Sequence, residues 1–534
     1  MTIVLVVIGL LLLGDVCSFQ ISHLGGHSGF QRLGMVSKSK SIMKKPRWTA
    51  EEREVAKEAE EAFDDDGAHG GSSGSSGGRA GGGDAWDVLV DRLDSSKGRK
   101  NNVGKVKVDQ DTSVPDELQC VHYDTCSGCS RRGDYANTPM ALRAQRFFAS
   151  EDVDMKIHTG PVAGWRTHVK LAVRPLSRWG GLKFGLYKAN SHDVEPIPEC
   201  RVHHPRINEA AEILRLAATD AGVIGYEHGQ NARGQRPTRS SGELRYVQFS
   251  LERHTNKVQV VLVWNAGEYK HAEQSLPRLM KRLKARPDLF HSVTMNFNPA
   301  DSNNIFNYKT DAWKLLWGPP MLKETIGSAT FLFRPQVFRQ ANLDAFESGI
   351  VPLVAANVPS GSRVSELYSG IGVLGLNVCE VSDAAEVLCT DSNGFVDEIF
   401  DRAADSLSEQ NREKVFFENR EARDAVQMGA LEEAQVVIVD PPRKGLDEAV
   451  MSVLLGQSEN SAAKDLRRLI YVSCGYEALE RDSRRLLDSC KWTLRSADGF
   501  VLFPGSDHVE TVAVFDKSAS TMLKEDRGKP EPCT

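Results

Sequence analysis

The stretch Val436-Val-Ile-Val-Asp-Pro-Pro-Arg-Lys-Gly445 runs from four apolar residues straight into a short polar loop. A short apolar run of this kind predicts a strand that is buried on both faces, as in a parallel sheet. Two prolines and a glycine then restrict the loop, which carries an acid and an arginine. An ordinary strand followed by a stiff turn is the plain alternative. The combination favours a functional loop at the carboxyl end of a buried strand.

Three similar runs lie in the same part of the chain and are separated by helical patterns. They are Arg363-Val-Ser-Glu-Leu-Tyr368, Val387-Leu-Cys-Thr-Asp391 and Leu469-Ile-Tyr-Val-Ser-Cys474. Short apolar strands alternating with helices predict a doubly wound, mostly parallel α/β sheet. Ligands of such sheets bind outside the carboxyl ends of the strands, so the residues that close these strands are expected to meet in one crevice. Those residues are Tyr368, Asp391, Asp440 and Cys474.

The preceding part of the chain has a different pattern. Thr167-His-Val-Lys-Leu-Ala-Val173 and Lys257-Val-Gln-Val-Val-Leu-Val-Trp264 predict antiparallel strands, and residues 205–218 and 273–284 have helical periodicity. We therefore predict a central α+β domain at 116–329, followed by the α/β domain at 330–517 and a disordered tail at 518–534.

The first 115 residues have the composition of a leader and a linker. An apolar run too short to span a bilayer is followed by basic, acid-free sequence, which predicts a secretory signal plus a transit peptide at 1–50 and a plastid destination. A plain secretory signal before a disordered basic stretch is the alternative. Residues 51–115, which are acidic and then rich in glycine and serine, are predicted to be disordered. The acidic run at 51–66 accounts for the net charge of -6, so the formal charge does not exclude a nucleic-acid partner.

A glycine-rich turn follows the first strand of the α/β part. Glu366-Leu-Tyr-Ser-Gly-Ile-Gly372 allows a nucleoside-type cofactor to approach the backbone, and an acid at Asp391 is well placed to accept hydrogen bonds from ribose hydroxyls. Either feature alone is equally consistent with ordinary turn residues. Together they favour a nucleoside cofactor.

These residues resemble the RNA 5-methyluridine methyltransferase family over residues 118–515. The resemblance is carried by the Asp440-Pro-Pro-Arg443 loop, by Ser473-Cys474 with Arg481-Asp482 downstream, and by His508-Val-Glu510-Thr. It implies a class I, Rossmann-like methyltransferase fold that uses S-adenosylmethionine. It also implies an RNA substrate, either transfer or ribosomal RNA.

The resemblance further implies roles for individual residues. Cys474 would be the nucleophile that adds to carbon 6 of uridine, and Glu510 would remove the carbon 5 proton. The cofactor residues carried over are Gln340, Tyr368, Asp391, Asn419 and Asp440. A buried core cysteine is the commoner fate of a cysteine at a strand end. The chain departs from the family at Gly475-Tyr476, where asparagine and proline are usual, and at Arg339, which replaces a common aromatic residue.

Two other functional classes remain as alternatives. A noncatalytic RNA-binding or folding factor would keep the cofactor fold, but it would not need Cys474 and Glu510. An amino-group methyltransferase would use an Asp-Pro-Pro-aromatic loop, whereas this chain has Arg443 at that position and a cysteine that such an enzyme does not require.

Four cysteines form a second candidate site. Cys120, Cys126 and Cys129 are closely spaced, and Cys200 stands apart. Their spacing suits either a [4Fe-4S] cluster or a structural zinc ion, with reduced, unliganded thiols as a third alternative. The family resemblance favours the cluster, because one branch of the family holds a [4Fe-4S] cluster on this pattern.

The RNA contacts are less well defined by the sequence. Arg233, Arg236 and Arg239 lie in a predicted loop that we expect to track phosphates, while Arg278, Lys281, Arg282 and Lys284 have the spacing of a solvated helix face. We expect a monomer that makes no stable membrane association once the leader is removed.

Overall fold

A computed structural model describes residues 119–177, 180–228, 241–272, 275–300, 304–458 and 463–518. The predicted leader at 1–50 and the predicted disordered segment at 51–115 lie outside the described residues, as do Arg233, Arg236, Arg239 and all but the first residue of the predicted tail. Within the described part, no helix is both long and apolar enough to cross a membrane.

The chain contributes to two large sheets. Its first helix, α1 (Pro139–Ser150), and its first strand, β1 (Lys156–His158), belong with the second sheet, because β1 pairs in parallel with a strand near the end of the chain. This segment therefore packs away from the central domain in which the sequence pattern had located it. The pattern could not reveal this, since a three-residue strand has too few positions to show which sheet it joins.

The first sheet has seven strands in the order β4-β3-β2-β5-β6-β7-β8 and is antiparallel except between β6 and β7. The strands are β2 (His168–Ser177), β3 (Gly180–Tyr187), β4 (Val194–Pro196), β5 (Leu244–Glu252), β6 (Lys257–Trp264), β7 (Phe290–Phe297) and β8 (Trp313–Trp317). Helices α2 (Pro205–Asp220) and α3 (Leu276–Lys284) share its hydrophobic core. The predicted antiparallel strands and both predicted helices are present.

A hairpin and a broken helix connect the two sheets. They comprise β9 (Leu322–Ile326), β10 (Ala329–Phe333), α4 (Leu343–Ala345), a π-helical turn at Phe346–Ile350 and α5 (Val351–Ala356). Leu322 and Ile326 pack in the core of the second sheet. The predicted boundary between residues 329 and 330 falls inside this hairpin. The residues that pack with the second sheet therefore begin earlier than the change in sequence pattern suggested.

The second sheet has eight strands in the order β1-β16-β17-β15-β14-β11-β12-β13. Its remaining strands are β11 (Arg363–Leu367), β12 (Glu386–Asp391), β13 (Val415–Asn419), β14 (Val436–Val439), β15 (Arg468–Ser473), β16 (Trp492–Phe500) and β17 (Glu510–Lys517). Its helices are α6 (Val373–Val381), α7 (Asp397–Ala404), α8 (Glu409–Arg412), α9 (Ala422–Gln427), α10 (Glu448–Leu454) and α11 (Tyr476–Asp488).

The order of these strands determines where a ligand can bind. All pairs are parallel except those made by β17, and β11 lies between β12 and β14, so the chain reverses its direction of winding at β11. Buried apolar residues fill both faces of the sheet. The arrangement confirms the predicted α/β class I methyltransferase fold with a preceding α+β part, and it opens a crevice beyond β11 and β14.

Candidate active site

The four strand-end residues meet as the topology predicted. Tyr368, Asp391, Asp440 and Cys474 all line one cavity of about 790 Å³ at the carboxyl edge of the second sheet. Two more predicted residues, Gln340 and Glu510, line the same cavity. Six predicted residues, drawn from six separate parts of the sequence, therefore face one space.

The acid at the end of β12 is fixed by its surroundings. Asp391 Oδ2 accepts the Gly370 N–H at 2.9 Å, and Asp391 Oδ1 accepts the Asn393 N–H at 2.8 Å. Each carboxylate oxygen keeps a further lone pair that can accept from a ribose hydroxyl. Asp391 thus links the glycine turn to its own strand and presents a hydrogen-bond acceptor to the cavity.

Asn419 does not line this cavity. It lies at the exposed end of β13, where its side-chain amide donates to the Asp391 carbonyl at 3.2 Å, and its neighbours Arg420 and Glu421 are the residues that reach the cavity wall. A direct cofactor contact by Asn419 therefore stays a prediction. Asn419 supports the backbone of Asp391 through this hydrogen bond.

Tyr368 has the left-handed backbone conformation, with φ of +60°, which is uncommon for a residue with a large side chain. Its hydroxyl donates to Asp447 Oδ2 at 3.1 Å and accepts the Asp447 N–H at 3.2 Å. Burial raises the pKa of Tyr368, so the phenol stays neutral. The tyrosine ring is thereby held between the turn after β11 and the segment after the Asp-Pro-Pro-Arg loop.

Cys474 shares the cavity with two carboxyl groups and one cation. Burial, followed by the charges of Glu510 and Asp440, raises the pKa of Cys474 to about 11, and Arg443 opposes that shift. Burial and the proximity of Asp440 raise the pKa of Glu510 well above its usual range. Burial also raises the pKa of Asp440 to about 7. At neutral pH the resting Cys474 is therefore a thiol, and the carboxyl groups of Asp440 and Glu510 hold protons more readily than exposed acids do.

Glu366 is a site residue that the sequence reasoning did not single out. It lines the cavity with its side chain buried, and its Oε2 accepts the Gly375 N–H at 2.9 Å and the Cys389 thiol at 3.2 Å. Burial raises its pKa to about 8. Its position inside a strand gave no signal, because a polar residue there can face either side of the sheet.

Arg339 anchors the segment that carries Gln340. Its guanidinium is buried, with Nη2 2.6 Å from Glu324 Oε1, and it donates to the carbonyls of Thr167 and Leu251 on the first sheet. Glu324 also pairs with Arg253 at 2.7 Å. The departure from an aromatic residue at this position thus introduces a buried ion pair directly beside Gln340 in the chain.

A second cavity of about 930 Å³ adjoins the first, and Gln340 and Arg443 line both. Its wall carries Arg166, whose guanidinium lies 5.4 Å from the ring of Trp165, and Lys170, whose ammonium lies 4.9 Å from the ring of Phe306. Tyr308 and Phe338 line the same cavity with exposed rings, so cations that can bind phosphates lie beside surfaces on which bases can stack. The cavity is thus suited to a single-stranded nucleic acid that approaches Cys474 from the side of the first sheet.

Two basic residues of helix α3 are paired with an acid on helix α2. Arg278 and Arg282 of α3 pair with Asp220 at 3.2 and 3.1 Å. This pairing agrees with the interpretation of α3 as a solvated helix face.

The four predicted cysteines are neighbours in space. The pKa of Cys129 is raised by burial and then by Cys200, Cys126 and Cys120, and none of the four is in a disulfide. In the described part of the chain, no three or more His, Cys, Asp or Glu side chains converge closely enough to hold one metal ion.

Comparisons with known proteins agree with this architecture. The chain is 34% identical over 404 residues to an uncharacterized RNA methyltransferase of Protochlamydia amoebophila, covering 75% of this chain and 98% of that protein. It is 27% identical to an uncharacterized RNA methyltransferase of Nostoc, over 75% of this chain and 83% of that protein. No family model matches the chain.

A solved structure shares the fold. The tRNA (uracil-54, C5)-methyltransferase of Pyrococcus abyssi, in complex with S-adenosyl-L-homocysteine, superposes with a TM-score of 0.55 at 22% identity. The match covers 73% of this chain and 86% of that one.

Proposed function

The chain belongs to the same family of RNA methyltransferases as its Protochlamydia relative, and from this premise we propose that it methylates carbon 5 of a uridine in transfer or ribosomal RNA. The observation that carries the proposal is the pair formed by Cys474 and Glu510, which face one cavity together with Asp440. A nucleophilic thiol and a separate proton acceptor are the two groups that methylation of this carbon requires.

The residues around the cavity suit S-adenosylmethionine. Asp391 can accept from the ribose hydroxyls, and Ile371 and Leu374 provide an apolar wall for the adenine. Gln340 and Asp440 would hold the end of the cofactor nearest the thiol. The bound cofactor supplies an electrophilic methyl group on a positively charged sulfur.

Each residue of the reacting group then has a defined task. Cys474, once deprotonated, adds its sulfur to carbon 6 of the uracil, which makes carbon 5 nucleophilic enough to take the methyl group. Glu510 accepts the proton from carbon 5, the electrons of that bond restore the double bond, and the thiolate leaves carbon 6. Because the pKa of Cys474 is raised to about 11 in the resting site, a positive charge nearby must favour the thiolate before attack.

The RNA would enter through the second cavity. Arg166 and Lys170 offer positive charge for phosphates, and the exposed rings of Tyr308 and Phe338 in the same cavity offer stacking surfaces for bases. A target base in folded RNA must be unstacked before it can enter such a cavity.

The decisive experiment uses RNA that contains 5-fluorouridine together with S-adenosylmethionine. Fluorine cannot be removed as a proton, so a denaturant-stable complex of protein and RNA should accumulate with the wild type and be absent with Cys474→Ala. If the wild type binds the cofactor but forms no complex, or if Cys474→Ala forms it equally well, the mechanism is wrong. A cofactor-binding protein without catalysis, the noncatalytic alternative, would give no complex and no methylated nucleoside.

We also propose that Cys120, Cys126, Cys129 and Cys200 hold a [4Fe-4S] cluster. Support comes from the spacing of the four cysteines and from their thiols, which lie close enough to influence one another and are not in disulfides. An iron and sulfide assay after anaerobic purification tests this. Stoichiometric zinc, or a protein that contains neither metal nor sulfide, would contradict it.

A further inference from the structure

The loop 501–509 joins β16 to β17 and ends at the proposed base, Glu510. Distant parts of the chain hold its first half. Asn342 donates its side-chain amide to the Leu502 carbonyl at 2.9 Å, and the ring of Phe503 packs edge-on against Trp165 with centroids 5.8 Å apart. The segment that carries Gln340 and the residues just before β2 therefore both contact this loop.

The second half of the loop lies against the four-cysteine site. The Gly505 carbonyl accepts the N–H groups of Ser130 and Arg131 at 2.8 and 3.0 Å. Gly505 has a φ of +96°, and a Cβ atom there would lie 3.1 Å from Cys129 Sγ. Only glycine allows this close approach without strain.

Asp507 is the charged side chain that connects the loop to α1 and to Arg131. Its Oδ1 accepts the Met140 N–H at 3.0 Å, in the first turn of α1, and its Oδ2 lies 3.7 Å from Arg131 Nη2. The first N–H groups of a helix lack partners within the helix, so a carboxylate there makes a bond that no other helix residue replaces. Asp507 thus connects α1 and the Cys129–Arg131 region to a point just before Glu510.

We propose that Asp507 is a positioning residue for Glu510. By fixing loop 501–509 it sets the place of the carboxylate that removes the carbon 5 proton, and this inference rests on the proposed function. Cys474 follows β15 and does not belong to the loop. Loss of Asp507 should therefore leave thiol addition and methyl transfer intact and slow the last step, in which Glu510 takes the proton and the sulfur leaves carbon 6.

The test separates these steps with two RNAs, one containing uridine and one containing 5-fluorouridine. With Asp507→Ala, the complex on 5-fluorouridine RNA should form at the wild-type rate. On uridine RNA a methylated, denaturant-stable complex should now accumulate, and turnover should fall by about tenfold to a hundredfold, the range expected for a misplaced catalytic group. Merely structural damage would lower both rates together.

Two further variants and one control complete the design. Asp507→Asn keeps an oxygen that can accept the Met140 N–H, so it should recover most of the lost turnover. Arg131→Gln removes only the ion pair and should give a smaller loss of the same kind, which keeps the test valid if Asp507→Ala does not fold. Asp498 lies on β16, outside the loop, and its carboxylate is 2.8 Å from His158. The control variant Asp498→Ala should leave both steps unchanged.

If Asp507→Ala releases product at the wild-type rate, or if its rates of complex formation and product release fall equally, Asp507 does not position Glu510. Absence of any complex between the wild type and 5-fluorouridine RNA would instead contradict the proposed function. The two failures are therefore distinguishable in one set of measurements.

Discussion

Cys474 and Glu510 lie beside each other because the strands that carry them pair in opposite directions. Ser473, the last residue of β15, pairs directly with Thr511 in β17. Because the two strands are antiparallel, Cys474, which follows Ser473, lies opposite Glu510, which precedes Thr511. The same register places Glu510 opposite Phe500 of β16. The backbones that carry the proposed nucleophile and base are therefore joined by one continuous ladder of hydrogen bonds, and loop 501–509 leads directly into Glu510.

This proximity predicts a measurable effect of Glu510 on the thiol. A carboxylate beside a thiol raises the pKa of the thiol, so at alkaline pH Glu510→Gln should lower the pKa of Cys474 from about 11 by roughly one unit. Alkylation of Cys474 at a given alkaline pH should become faster, as followed by peptide-resolved mass spectrometry. Arg443→Gln is the matched control of opposite sign, because it removes the cation that favours the thiolate. Identical pH profiles for the three proteins would contradict this electrostatic account.

Gly475 predicts a second effect, on the loop that carries Arg443. A Cβ atom at position 475 would lie 2.7 Å from the Arg443 carbonyl oxygen, so the backbone of the loop would have to move. Because Arg443 is the cation beside Cys474, we expect Gly475→Ala to slow complex formation on 5-fluorouridine RNA by about tenfold or more. Gly267→Ala, where a Cβ would meet nothing within 4 Å and which lines neither cavity, is the control. A wild-type rate for Gly475→Ala would show that the close approach has no functional weight.

Much of this site was predictable from local sequence. Asp440 directly follows an apolar run, and Cys474 follows one with only Ser473 between. The rule that ligands gather at the carboxyl ends of parallel strands brings such residues together without any knowledge of strand order. The family resemblance supplied Glu510 and Gln340, which lie outside that rule. Membership of the RNA methyltransferases confirms the resemblance.

What the sequence did not predict depends on contacts between distant segments. Glu366 is a functional candidate because it lines the cavity with a buried carboxyl group that Cys389, on the neighbouring strand, contacts inside the sheet. Strand β1 is too short to show which sheet it joins. Arg339 stood out in the sequence only as a departure from a common aromatic residue, whereas its partner Glu324 comes from a hairpin whose position the local pattern did not encode.

The Arg339 pair itself leads to a stability prediction. Arg339→Leu would leave the buried Glu324 with Arg253 as its remaining cation, so we expect the free energy of unfolding to fall by about 3 kcal/mol. Urea unfolding measures this, and the KM for S-adenosylmethionine should rise because Gln340 loses its anchor. Arg485→Ala, which breaks an exposed pair with Glu448, should change the free energy by less than about 1 kcal/mol. Equal losses in the two variants would contradict the special role of the buried pair.

Glu366 predicts a pH dependence of stability whose sign follows from its raised pKa. The pKa is about 8 in the folded protein and 4.5 in an ordinary environment, so both states are protonated below pH 4.5. As the pH rises from 4.5 to 8, the unfolded state loses the proton while the folded state keeps it, and the wild type loses stability through this group. Above the folded pKa the loss is complete.

Glu366→Gln removes this titration and keeps an oxygen that can accept the Gly375 N–H. We therefore expect the variant to gain stability over the wild type as the pH increases from 5 to 8, by on the order of 3 kcal/mol in total. Urea unfolding at several pH values within that interval measures the gain, and Glu413→Gln, an exposed position, serves as the control. If the curves of wild type and Glu366→Gln stay parallel between pH 5 and 8, Glu366 is not a neutral acid beneath the cofactor cavity.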